Sequence, residues 1–106
     1  MIVANSSPLI ILGKQGMLEL LKKCFKRVLI PDGVHNEIIL KSGSLEAIAL
    51  EKAIKARWVI VQKIAVMRAL RTKNLGQGEK EAIALAHKHK SLLIIDDDSA
   101  KQYASL

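Results

Sequence analysis

The sequence has 106 residues, which is enough for one domain and too little for two. Half of the residues are hydrophobic, but only one Trp, one Tyr and one Phe are present, so we expect an aliphatic core. A single cysteine excludes an intramolecular disulfide and is typical of a reducing compartment, which predicts a cytoplasmic protein. No apolar run reaches the roughly 18 residues of a membrane span, and the apolar N-terminus lacks the basic start of a signal peptide.

The chain is strongly basic, with a formal net charge of +7 from 17 Lys and Arg against 10 Asp and Glu. A positive field attracts phosphate backbones, and release of counterions adds to the affinity for nucleic acid. Lysine-rich faces are also ordinary solvated surface, so the charge alone permits a nucleic-acid partner without requiring one. The positions of the acidic residues are more informative.

Apolar runs alternate with turn residues along the first half of the chain. Residues 1–4 are apolar, which predicts a buried strand. Asn5, Ser6 and Ser7 are good helix N-cap residues, and Pro8 suits a first helical turn. The other elements predicted here are a short helix at 9–12 broken near Gly13 and Gly16, a helix at 17–25, a strand at 27–30 and a helix at 32–41.

The second half continues the alternation and ends on a run of aspartates. The predicted elements are a turn at 42–44, an amphipathic helix at 45–56, a strand at 58–61, a helix at 64–70, a loop at 74–78, a helix at 79–89, a strand at 92–95 and a last helix from residue 99. Strands alternating with helices favour an α/β fold. We expect three α/β/α layers around a mostly parallel sheet of about four strands.

Polar residues follow the first and last predicted strands, where a parallel sheet would bring them to one edge. Asn5 follows the first strand, and Asp96 and Asp97 follow the last. Glu37 and Glu79 lie on helices that begin at the same edge. Clustered carboxylates repel one another and favour a bound cation, and oxygen ligands select a hard metal such as Mg²⁺ or Mn²⁺. A carboxylate metal site in a basic protein suits phosphodiester hydrolysis.

Each candidate also has a purely structural explanation. Acids in the first turn of the helix at 79–89 interact favourably with the helix dipole, and this is the explanation that we adopt for Glu81. Glu37 on an isolated helix would be an ordinary surface acid. Asn5 belongs to a sound strand-to-helix turn that needs no catalytic role. Asp96 is the strongest candidate, because a polar residue that directly follows the apolar run LLII must leave a buried strand at the sheet edge.

Four blocks of the sequence together resemble one known family. In order they are IVANSSPLIILGKQGMLELLKK, VLIPDGVHNEI, LGQGEKEAIALA and LLIIDDDSAK, and they span nearly the whole chain. This succession resembles the PIN-domain proteins, and most closely a prokaryotic branch whose first strand ends in Asn-Ser/Thr-Ser-Pro. The resemblance implies a metal-dependent ribonuclease that prefers single-stranded RNA, often the VapC-type toxin of a toxin–antitoxin pair with an antitoxin protein as partner.

The family's acidic site carries over to five positions of this sequence, with Mg²⁺ or Mn²⁺ as the implied cofactor. Asn5 stands where the family usually has an aspartate, with Ser7 as a supporting hydroxyl. The implied acids are Glu37, Glu79, Asp96 and Asp97, with Glu81 a less certain companion.

Two departures from the family pattern affect the predicted function. Asn5 offers a carbonyl oxygen to a metal but no charge, which weakens the site. Family members usually continue with another strand and helix, so we expect a domain truncated at its C-terminus, whose open sheet edge favours a homodimer. Both departures leave open an alternative function, a PIN-like module without catalytic activity that binds nucleic acid or protein.

Overall fold

The computed structural model describes residues 1–66, 71 and 74–95. The elements in chain order are β1 (Ile2–Ala4), α1 (Ser6–Lys14), α2 (Glu19–Phe25), β2 (Val28–Pro31), α3 (Asp32–Ile39), α4 (Leu45–Lys55), β3 (Val59–Gln62), α5 (Gln77–His89) and β4 (Leu93–Ile94). All four strands and all five of these helices were predicted from the sequence. The predicted helix from residue 99 lies outside the described residues.

The four strands form one sheet in which every pair is parallel, in the order β3-β2-β1-β4. The chain adds β2 and β3 on one side of β1 and then returns to place β4 on the other side. Because parallel crossovers are right-handed, this reversal puts helices on both faces of the sheet. The three-layer α/β fold predicted from the sequence is thereby confirmed.

The core is aliphatic, as the composition predicts. Strands β1 and β2 are buried along their whole length, which explains why they read as continuous apolar runs and not as alternating ones. Leu9, Leu50 and Leu85 bring helices α1, α4 and α5 onto the sheet and are at most 2% exposed. Trp58 is buried next to β3 and contributes to the core.

Helix α1 is longer than predicted and contains Gly13, so the predicted break at this glycine is wrong. A Cβ added at Gly13 would lie 2.7 Å from Cα of Glu46, in the first turn of α4. The glycine therefore permits a close approach of two helices instead of ending one. The chain does turn at Gly16, which has a φ of +68° in the left-handed region that glycine adopts readily.

Residues 64–66, which are the described part of the helix predicted at 64–70, form no helix, and residues 67–70 lie outside the described residues. Ile64 and Val66 are partly buried and alternate with exposed Lys63 and Ala65. Ile64 and Val66 pack against Ile83 and its neighbour on α5. An alternation of period two is the pattern of an extended segment that covers an apolar surface.

The ends of the other elements differ from the predictions by a few residues. Helix α5 begins at Gln77, so Gly78 is helical and not part of the predicted loop. Ser44, in the predicted turn at 42–44, caps α4, and its hydroxyl oxygen accepts from the backbone N–H of Ala47 at 3.2 Å. No helix in the described part of the chain has the length and apolar character needed to cross a membrane.

Candidate functional site

The candidate site lies where the strand order reverses, at the carboxyl ends of β1 and β4. The two strands lie side by side there, and the backbone N–H of Asn5 donates to the carbonyl of Ile94 at 3.0 Å. Crevices at such reversal points are the usual ligand sites of open parallel sheets. Asn5 is the N-cap of α1 and is only 2% exposed.

Ser6 connects this strand end to helix α3. It is the first residue of α1 and is buried, and its hydroxyl donates to Oε2 of Glu37 at 2.7 Å. Glu37 itself is exposed, so its carboxylate is held at one oxygen and open to solvent elsewhere. A hydrogen bond to a carboxylate is short and strong, and this one fixes the side chain at the sheet edge.

Helix α5 begins beside Glu37 and carries Glu79 in its first turn. A Cβ added at Gly78 would lie 3.4 Å from Oε1 of Glu37, so the Glu37 carboxylate lies against the first turn of α5. Glu79 follows directly in that turn and is partly buried. A carboxylate oxygen of Glu79 lies 3.7 Å from the position that a Cβ at Gly76 would take, which places this acid at the beginning of the helix.

Three of the sequence-predicted candidates, Asn5, Glu37 and Glu79, therefore lie on chain segments that meet at one end of the sheet, through the Ser6–Glu37 hydrogen bond and the contact of Glu37 with Gly78. The other two, Asp96 and Asp97, lie outside the described residues, directly after Ile95 in the sequence. Within residues 1–66, 71 and 74–95, no group of three His, Cys, Asp or Glu side chains is close enough to hold a metal. The oxygen donors present here have the chemistry that Mg²⁺ and Mn²⁺ prefer.

Two residues have roles that sequence reasoning missed. The resemblance pointed to Ser7 as the supporting hydroxyl, whereas the hydroxyl that contacts Glu37 is that of Ser6. Glu81 was left as an acid serving the dipole of its own helix, but its carboxylate bonds to the backbone N–H of Gly33 at 2.8 Å. No local signal reveals either contact, because they join residues 31 and 48 positions apart.

The class of protein that this arrangement defines is a three-layer, parallel α/β domain with acids at the reversal point of its sheet. A family model described as a PIN domain matches residues 1–106. The chain belongs to the PIN-domain family. PIN domains have a nuclease-type fold and generally use divalent metal ions, and membership of this family suggests RNA binding. No curated protein and no solved structure matches the chain.

Proposed function

We propose that this protein is a metal-dependent ribonuclease that hydrolyses phosphodiester bonds of single-stranded RNA. The observation that supports this most strongly is the Glu37 carboxylate, held by the buried Ser6 hydroxyl at 2.7 Å beside the first turn of α5. An exposed acid fixed in this way, at the reversal point of a parallel sheet, is suited to bind a ligand. The net charge of +7 favours a polyanionic substrate.

Glu37, Glu79 and Asp96 are the residues that we expect to hold Mg²⁺ or Mn²⁺, with Asn5 and Asp97 assisting. A divalent cation supplies activation of the attacking water and neutralisation of the charge that develops on the phosphate. Ser6 keeps Oε2 of Glu37 in place, which leaves Oε1 facing Gly78 and the site. Asn5 contributes a neutral amide oxygen, so the charge of the site depends on Glu37 and on the acids of α5 and the β4 end.

Cleavage of a labelled single-stranded RNA by the purified protein tests this proposal. We expect cleavage with Mg²⁺ or Mn²⁺ and none after chelation with EDTA. The cleavage rate of Asp96→Asn should be lower by at least about a hundredfold, because loss of a metal ligand should have a larger effect than the 10- to 100-fold effect of losing a group that supports a ligand. The variant, purified in the same way, controls for a contaminating nuclease that copurifies with a basic protein. A folded wild type that neither cuts RNA nor binds Mn²⁺ would contradict the proposal.

That negative result would favour the second function, a PIN-like module that binds RNA or protein without cutting. Asn5 supports this alternative, because it replaces a charged family ligand with a neutral one. Fluorescence anisotropy of the same RNA in EDTA separates the two functions, since a module would bind without metal. An antitoxin partner, a homodimer and a cytoplasmic location stay predictions from the sequence and the resemblance.

The Ser6→Ala variant tests how the site is supported. We expect Mn²⁺ affinity to fall about 10-fold, the lower end of the range for a group that orients a metal ligand. The fold should persist, because the change removes one hydroxyl and adds nothing to the packed helix start. Isothermal titration calorimetry measures the affinity, and Ser7→Ala is the matched control that should bind Mn²⁺ as the wild type does. Equal losses in both variants would contradict the assigned role of Ser6.

A further inference from the structure

Glu81 engages both of its carboxylate oxygens with N–H donors. Oε1 accepts from the backbone N–H of Gly33 at 2.8 Å, and Oε2 accepts from the side-chain amide of Gln77 at 2.8 Å. Gly33 is the second residue of α3, whose first-turn N–H groups lack partners within the helix. Pro31 occupies the N-cap of α3 and has no side-chain acceptor to offer, so the cap comes from Glu81 on another helix.

The two helices also touch through their glycines at this point. A Cβ added at Gly33 would lie 3.0 Å from Cα of Gly78 and 3.1 Å from the Glu81 carboxylate. Only a residue without a side chain permits this backbone approach. The contact and the Glu81 hydrogen bond together fix the first turn of α3 against the first turn of α5.

This contact fixes the places of the two acids of the candidate site. Glu37 lies four residues after Gly33, on the same face of α3, and its Oε1 lies against Gly78. Glu79 follows Gly78 directly on α5. A shift of one helix along the other would therefore change the separation of Glu37 and Glu79.

We propose that Glu81 is a positioning residue, which caps α3 from α5 and thereby keeps Glu37 and Glu79 at the separation that metal binding requires. This inference rests on the proposed function and adds to it a residue that is not itself a metal ligand. Each of its oxygens accepts one N–H hydrogen bond, and these contacts assign Glu81 a role in helix placement.

Two substitutions distinguish an effect of helix placement from an effect of the Glu81 charge. Glu81→Gln removes the charge but keeps a carbonyl oxygen at the same distance for the Gly33 N–H, and Gln77 can present its own amide oxygen to the new amide. Glu81→Asp keeps the charge but is one methylene too short to reach Gly33. Glu51→Gln on α4 is the control, because it removes an exposed acid far along the chain from the site.

Mn²⁺ affinity by isothermal titration calorimetry is the readout, together with the thermal midpoint of each variant. We expect Glu81→Asp to weaken Mn²⁺ binding by roughly 10- to 100-fold at unchanged stoichiometry. Glu81→Gln should remain within about threefold of the wild type because it keeps an acceptor for the Gly33 N–H and so keeps the cap of α3. Glu51→Gln should do so because Glu51 takes no part in supporting the metal ligands.

Other outcomes would overturn the inference in distinguishable ways. If Glu81→Gln and Glu81→Asp weakened Mn²⁺ binding equally, the role of Glu81 would not be the cap of α3. If Glu81→Asp bound Mn²⁺ with wild-type affinity, the cap would be dispensable. If Glu81→Asp unfolded, the hydrogen bond between Glu81 and Gly33 would serve only the stability of the fold. In each of these cases the wild type still binds Mn²⁺, so the proposed function survives.

Failure of the wild type to bind Mn²⁺ would instead remove the proposed function and the positioning role with it. Amide hydrogen exchange at Gly33 tests the contact without any metal. The Gly33 amide should exchange slowly in the wild type and in Glu81→Gln, and faster in Glu81→Asp, because only the first two keep an acceptor in reach. Fast exchange in the wild type would contradict the cap itself.

Discussion

Replacing Glu37 by glutamine should abolish metal-dependent RNA cleavage while leaving the protein folded. We expect Mn²⁺ affinity to fall by more than about a hundredfold, beyond the 10- to 100-fold range of residues that only support a ligand. The loss is large because Asn5 already replaces one charged family ligand with a neutral one, so each remaining carboxylate matters more. Calorimetry with Mn²⁺ and cleavage of single-stranded RNA measure the effect.

Stability should hardly change in Glu37→Gln, because Glu37 is exposed and the glutamine carbonyl can still accept from the Ser6 hydroxyl. Glu51→Gln is the matched control, an exposed glutamate on α4, and it should bind and cleave as the wild type does. If Glu37→Gln bound Mn²⁺ with wild-type affinity, Glu37 would be no ligand. The carboxylate would then serve only to join α3 to α1 through Ser6.

Replacing Gly13 by alanine should produce the largest loss of stability among these variants. Its Cβ would lie 2.7 Å from Cα and 2.8 Å from Cβ of Glu46, so helix α1 or helix α4 must move. Overpacking of this kind costs about 1–3 kcal/mol, and the better helix propensity of alanine offsets up to about 1 kcal/mol of it. Each kcal/mol lowers the thermal midpoint of a domain near this size by about 4–8 °C.

Lys14→Ala is the control for this prediction. Lys14 is the neighbouring residue of α1, and its ammonium lies 4.0 Å from the Glu46 carboxylate with 59% of its side chain exposed. Only 6% of the Glu46 side chain is exposed, but the lysine faces solvent and the pair is as long as 4.0 Å, so the attraction is weak. This variant should differ from the wild type by less than about 1 kcal/mol. A thermal midpoint of Gly13→Ala at or above that of the wild type would show that the two helices separate without cost.

The fold could be predicted from the sequence because its two central strands are buried along their whole length and its outer strands are mostly apolar. Continuous apolar runs such as RVLI and WVIV stand out from the helices between them, and a parallel sheet needs those helices as crossovers. The errors arose where one sequence signal has two physical meanings. Gly13 breaks a helix in isolation but allows close packing beside α4, and the apolar residues at 64 and 66 fit either a helix or an extended segment.

The sequence points to the acids of the candidate site but not to the residues that contact them. Glu37 and Glu79 were predicted because helices that follow parallel strands begin at the same edge of the sheet, and the structure brings their two helix segments into contact. Ser6 and Glu81 were missed because each acts on a residue far away in the sequence, which no local pattern records. Only the tertiary contacts distinguish the candidate metal ligands from the residues that support them.

The pairing of β1 with β4 determines when the candidate site can form during folding. Val3 lies beside Leu93, so the floor of the candidate site joins the beginning of the chain to a strand near residue 93. Such long-range contacts form late, because the entropy of closing the intervening loop must be overcome first. A partly synthesised chain that has not reached β4 cannot assemble this floor. A ribonuclease with this site, as proposed above, would therefore stay inactive during its synthesis until β4 has joined the sheet.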